Sequence, residues 1–243
     1  MPASHDLQLT YARQLADSGK VDEALKLANA QLAGTPDDRD VYFTVADMDV
    51  RDKRWKDADE VLDKADALAT KPEEKAFVAY YRGTVAERQK LFDQAEMEFR
   101  KGLQLSPDFA PIENYLGYML AERGQKLDEA VAMLKKVVAF DPQNSAYLDS
   151  LAWAYYKQGQ YALAEDLEHK AVLRMPNDPT ILDHLGEIEA KNGKLSLAID
   201  EWQRSLAQYA TSLPPEADPA DVAKTQHNLE SARVKLAHLT SPK

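Results

Sequence analysis

Cysteine is absent from the 243 residues. That removes disulfides, thiolate metal sites and cysteine nucleophiles together, and it leaves the compartment open. No run of about eighteen apolar residues occurs, so no segment is expected to span a membrane. Met1 to Arg13 has neither a basic start nor an apolar stretch and does not read as a secretory signal. A cytoplasmic location is the default expectation, with the periplasm or cell envelope as the alternative if the chain is a piece of a longer protein. Positive charge is scarce: 30 Lys and Arg stand against 41 Asp and Glu, a formal net charge of −11. Nucleic-acid binding draws on a basic face that displaces counterions, and this balance argues against it. The charges alternate in sign, as in Arg51-Asp52-Lys53-Arg54, the pattern of a solvated helix surface.

Motifs of chemistry are missing too. There is no phosphate loop, dinucleotide fingerprint or nucleophile elbow. His5, His169, His184, His227 and His238 lack the paired spacing of a zinc protease. Asp166 with His169, and His184 with Glu187, fall one helical turn apart, a spacing that charged helices produce often. No catalytic residue, metal or cofactor is expected, and the chain reads as non-enzymatic.

What the sequence does contain is a period. Ala24, Ala58, Ala95, Ala130, Ala164 and Ala198 are separated by 34, 37, 35, 34 and 34 residues. A second small position keeps step with the first: Ala12, Ala46, Gly83, Gly117, Ala152 and Gly186. Bulky residues join this pattern, as in Leu182, Leu185, Gly186, Ala198 and Trp202, or Leu148, Leu151, Ala152, Tyr155, Ala164 and Pro176. A recurrence of 34 residues is that of a helix–turn–helix unit. Six units follow, at 5–38, 39–72, 76–109, 110–144, 145–178 and 179–212, in one all-α domain covering 1–243. The small residues are expected where the two helices of a unit cross, since a larger side chain would force them apart.

The helix breakers keep this register. All twelve prolines fall at unit boundaries, helix starts or termini. Pro111 and Pro179 sit in a first turn, where a missing N–H does no harm, and Asp178 is placed to cap the helix that Pro179 begins. Gly19, Gly124, Gly159 and Gly193 mark turns within units. Residues 73–75 and the extra residue near Gln125 read as short loop insertions. A loop at 213–220 and an amphipathic helix at 221–239 end the chain. Val222, Leu229, Leu236 and Leu239 give that helix an apolar stripe suited to covering the last unit. The first unit has no comparable cover. The expectation is that the chain continues before it or pairs there with a second copy.

The quoted residues resemble the tetratricopeptide-repeat family over about 5–212 plus the capping helix. The stretch Leu116-Gly117-Tyr118 through Ala130, then Asp141-Pro142 and Leu148 to Trp153, looks like bacterial members, which include adaptors and scaffolds. The resemblance implies a right-handed α-solenoid in which the first helix of each unit lines a concave groove. The phase then turns these residues inward: Phe43, Tyr80, Tyr81, Arg88, Asn114, Tyr115, Tyr118, Asp149, Trp153, Tyr156 and Asp183, with His184 and Glu187 beside them. Trp153, Tyr118 and Tyr81 are expected to face a ligand, Asn114 to reach a peptide main chain, and Tyr155 and Trp202 to be core. One subclass of the family grips a chaperone's C-terminal carboxylate with successive basic residues. Leu9, Arg13, Thr44, Phe77 and Tyr81 offer a single base there, so that specificity is not expected. The implied function is a scaffold or adaptor holding a basic or apolar segment of a partner protein. The alternatives are the substrate-recruiting region of a larger enzyme and a structural protein that assembles with itself.

Overall fold

The computed structural model describes residues 5–211 and 218–240, and among them thirteen α-helices and no strand. Twelve helices form six pairs: α1 (His5–Asp17) with α2 (Val21–Asn29), α3 (Asp38–Arg51) with α4 (Trp55–Leu68), and α5 (Pro72–Arg88) with α6 (Phe92–Leu105). The series continues with α7 (Ala110–Glu122) and α8 (Leu127–Phe140), α9 (Ser145–Lys157) and α10 (Tyr161–Arg174), and α11 (Pro179–Lys191) and α12 (Leu195–Tyr209). A last helix, α13, runs from Pro219 to Thr240. The chain divides into two compact units, the first reaching to Ile112 and the second starting at Glu113.

The pairs close because one helix offers a small residue to a bulky one on the other. A Cβ on Gly186 would stand 2.7 Å from the Trp202 indole nitrogen, and one on Gly117 would stand 2.8 Å from Leu134 Cγ. Gly83 meets the Phe99 ring in the same way. Ala12, Ala46 and Ala152, at the equivalent positions of the other pairs, are fully buried. The expected crossing is therefore the observed one.

Local signals at the helix ends behave as their chemistry demands. Asp178 Oδ1 accepts from the backbone N–H of Thr180 at 2.9 Å and of Ile181 at 3.1 Å, capping α11. The turns within pairs need a left-handed residue. Gly19, Gly124, Gly159 and Gly193 supply it in four of them, but Lys53 (φ 59°) and Lys90 (φ 62°) hold that conformation in the other two. A side chain with a Cβ is strained there.

Two boundaries differ from expectation. Residues 73–75 are not a loop insertion: they lengthen α5, which starts at Pro72 and runs for 17 residues. Glu74 closes the added turn by accepting from Thr70 N at 2.8 Å and Lys71 N at 3.0 Å, and it also pairs with Arg39. The Arg39 guanidinium first, and then those backbone donors, hold the Glu74 carboxyl down at about 2. At the other end, α13 takes in Pro219 and Ala220, which the sequence assigned to the loop; residues 213–217 of that loop lie outside the described residues. The extra residue near Gln125 does fall between helices, where Lys126 has φ 47°.

Candidate partner-binding surface

In the first unit the inward positions of α3 and α5 meet as a cluster of rings. Phe43 stacks on Tyr81 with centroids 4.6 Å apart and meets Phe77 edge-on at 5.0 Å. Phe109, just before α7, adds contacts to Phe77 at 5.7 Å and Tyr80 at 6.2 Å. Phe43 is buried, and Tyr80 and Tyr81 are half-buried. Arg88, by contrast, is exposed, and its guanidinium lies 3.9 Å from the carboxylate of Glu87. The aromatic residues expected here come together; Arg88 lies outside their cluster.

The second unit brings rings and charges together. Trp153 stacks on His184 with centroids 3.9 Å apart and on Tyr156 at 4.6 Å, and Tyr118 lies 6.3 Å from His184. The Trp153 indole N–H donates to Glu122 at 2.5 Å. Trp153 is only 2% exposed, so it does not present the open ring expected of it. One stacking ring, His184, arrives from the following helix pair, which a reading of one unit leaves out. Tyr118, Tyr115 and Asn114 are half-buried, and Asn114 Oδ1 is enclosed with no hydrogen-bond donor near it. Tyr155 and Trp202 are buried, as their core assignment requires.

Acidic groups lie beside these rings, and α13 answers them. Lys224 Nζ sits 2.6 Å from Glu187, 3.3 Å from Asp183 and 5.4 Å from the centre of the Trp153 ring. Thr225 donates its hydroxyl to Asp183 at 2.9 Å, and Tyr156 donates its own to Glu187 at 2.9 Å. Burial alone would raise the Glu187 carboxyl, but Lys224 and the Tyr156 hydroxyl outweigh it and hold the group below the usual range. Burial would likewise lower the Lys224 ammonium, yet Asp183 and Glu187 push it up.

Beneath this surface three titratable groups meet: Asp149 on α9, Glu168 on α10 and His184 on α11. Asp149 and His184 share a hydrogen bond of 2.7 Å through His184 Nδ1. Burial works against the imidazolium, but the Asp149 carboxylate, with Asp183 behind it, leaves the His184 pKa raised. Glu168 is 0% exposed, and no neighbouring donor reaches either of its oxygens. Burial first, and then Asp149, raise its carboxyl well above the usual range. One ligand atom from each of the three lies within 4.8 Å of the others. Glu165, His169 and Glu189 form a similar trio, but Glu165 is already held by Lys194 at 2.5 Å and Asn192 at 2.7 Å.

Neither trio matches the pairs that sequence spacing suggested. A signal for the first was nevertheless there. Four residues after each recurring alanine stand Ala28, Leu62, Phe99, Leu134, Glu168 and Trp202, a column that is apolar except at Glu168.

Comparison with known proteins agrees with this architecture. The tetratricopeptide repeat family model matches residues 115–180 and 150–214. A TPR repeat-containing protein of Pseudomonas aeruginosa is 32% identical over 185 residues, covering 74% of this chain and 30% of that protein. The chain thus spans about a third of that relative's length. Among solved structures, the APC/C hetero-tetramer Cut9–Hcn1 aligns with a TM-score of 0.74 at 20% identity, over 95% of this chain and 43% of that one. PilW, a type IV pilus biogenesis factor, aligns with a TM-score of 0.63 at 22% identity, over 82% of this chain and 92% of its own. At such identities the likeness speaks to the fold. Six helix pairs with small-to-bulky crossings, a family match over the best-formed of them and a tetratricopeptide-repeat relative place the chain in the tetratricopeptide-repeat family, with the all-α solenoid fold of that family.

Proposed function

We propose that the chain is a non-catalytic interaction scaffold that holds a segment of a partner protein against the inward faces of its first helices. The observation that carries this reading is the seat of Lys224. A lysine ammonium held by two carboxylates above an indole is the arrangement expected of a surface suited to basic side chains with apolar stems. The aromatic residues near it, Tyr118 and Tyr156, fit the same kind of ligand, as do Tyr80 and Tyr81 among the rings of the first unit. Rings held in place before binding lower the ordering cost of a complex.

The test is capture from the lysate of the source cell by the wild-type chain and by a Tyr80→Ala, Tyr118→Ala variant. Both must first be shown to melt alike. A partner held by the wild type, lost by the variant and released by added salt supports the reading. Equal capture by both chains would move the working surface elsewhere, to self-assembly or to the recruitment of substrate for a longer enzyme.

A further inference from the structure

From the cluster beneath the Trp153 stack we infer that Asp149, Glu168 and His184 form a binding site for one divalent transition-metal ion, of the zinc or manganese type. Three successive helices supply the ligands, and the donor set of one imidazole nitrogen and two carboxylates suits such ions. The acidic cluster is not the whole case. Glu168 is wholly enclosed, points its carboxylate at Asp149 and His184, and finds no hydrogen-bond donor on either oxygen. It also occupies a position where the equivalent residues Leu62, Phe99, Leu134 and Trp202 fill the crossing with apolar bulk. A protonated Glu168 can share one hydrogen bond with Asp149, but no donor answers its oxygens, and it stands where an apolar residue would cost nothing.

A cation at the centre would answer both carboxylates and give the Glu168 oxygens the partner they lack. Ligands at about 2.0–2.2 Å from one ion lie roughly 3–4 Å apart, so the 4.8 Å spread closes by side-chain movement alone. Trp153, stacked 3.9 Å from His184, would be held in place by the loaded site.

The test loads the full chain, stripped by chelator, with Zn²⁺ or Mn²⁺ alone, both by direct addition and by refolding from urea with the ion present. Desalted protein is then assayed for bound metal. One ion per chain and a higher melting temperature are expected with at least one of the ions. Glu168→Leu restores the apolar residue of the equivalent positions. It should melt no lower than the metal-free wild type while retaining at least tenfold less metal. Retention of neither ion by either route overturns the site. So does retention that Glu168→Leu leaves unchanged, which would put the metal on another cluster, such as Glu165, His169 and Glu189.

Discussion

At matched repeat positions the two units carry opposite chemistry. Phe43 and Tyr80 in the first stand where Asp149 and Asp183 stand in the second, and Phe99 stands where Glu168 does. In the first unit Phe43 and Tyr80 belong to a cluster of five rings. The second fills these places with carboxylates that need Lys224, Thr225 and His184. The small residues at the helix crossings recur in both, as do the bulky apolar residues that meet them everywhere but at Glu168, and this shows which positions the fold itself demands. Packing fixes the crossing; the flanking columns are free to carry either hydrophobic burial or paired charge.

The largest expected effect tests the common part. Gly83→Leu in the first unit and Gly186→Leu in the second should each cost about 3 kcal/mol or more, because both drive a side chain into an aromatic ring. Urea unfolding should find the two losses alike; a mild loss at either site would mean that the crossing geometry is not shared.

The next separates the units. Phe43→Ala should cost about 3–5 kcal/mol, with little dependence on pH. Asp149→Asn should cost a comparable amount at pH 6, about 3 kcal/mol, by leaving His184 unpaired, and less as pH rises and the raised imidazole loses its proton. Equal pH dependence for the two variants would erase the distinction.

A third, smaller effect is a pH slope in the unmodified chain. Burial, with Glu201 behind it, pushes Glu189 up to about 7; burial, with Asp57, pushes Asp49 up to about 6. Both carboxyls hold protons in the folded state that the unfolded chain gives up near pH 4, so stability falls as pH rises from about 4 and levels off above about 7. His184 adds to the same fall, since stability gained from a raised imidazole is lost as pH rises through its folded value. The melting temperature should therefore be higher at pH 5 than at pH 8. Glu189→Gln should flatten the upper part of the curve and Asp49→Asn the lower.

The smallest effect lies in the turns. Lys53→Gly and Lys90→Gly relieve a left-handed backbone and should each stabilise by up to about 1 kcal/mol. Gly159→Lys should lose a similar amount in the second unit, and thermal melts would measure all three.

The fold was legible because it is written six times: two columns of small residues, spaced by one period, locate every helix pair. The misread stretch, 73–75, is instructive. A proline opens both a loop and a helix, and only the Glu74 cap, which depends on backbone position, separates the two cases. The recurring phase of the aromatics was legible, yet their exposure was not. Trp153 is covered by His184, 31 residues later, so its burial belongs to the contact between successive helix pairs. The Asp149, Glu168 and His184 cluster was missed for the same reason: its members lie 19 and 16 residues apart on three helices, a separation no short motif spans. Glu168 alone in an apolar column was the available clue.

Lys224 has one more consequence. It is tethered to the carboxylates it neutralises, so a visiting lysine must compete with a resident whose local concentration is set by the chain and is of millimolar order. Only a ligand that brings further contacts can displace it at lower concentration. The C-terminal helix thereby sets an affinity threshold, and salt, which loosens the resident and the visitor alike, moves that threshold less than it would move a simple ion pair.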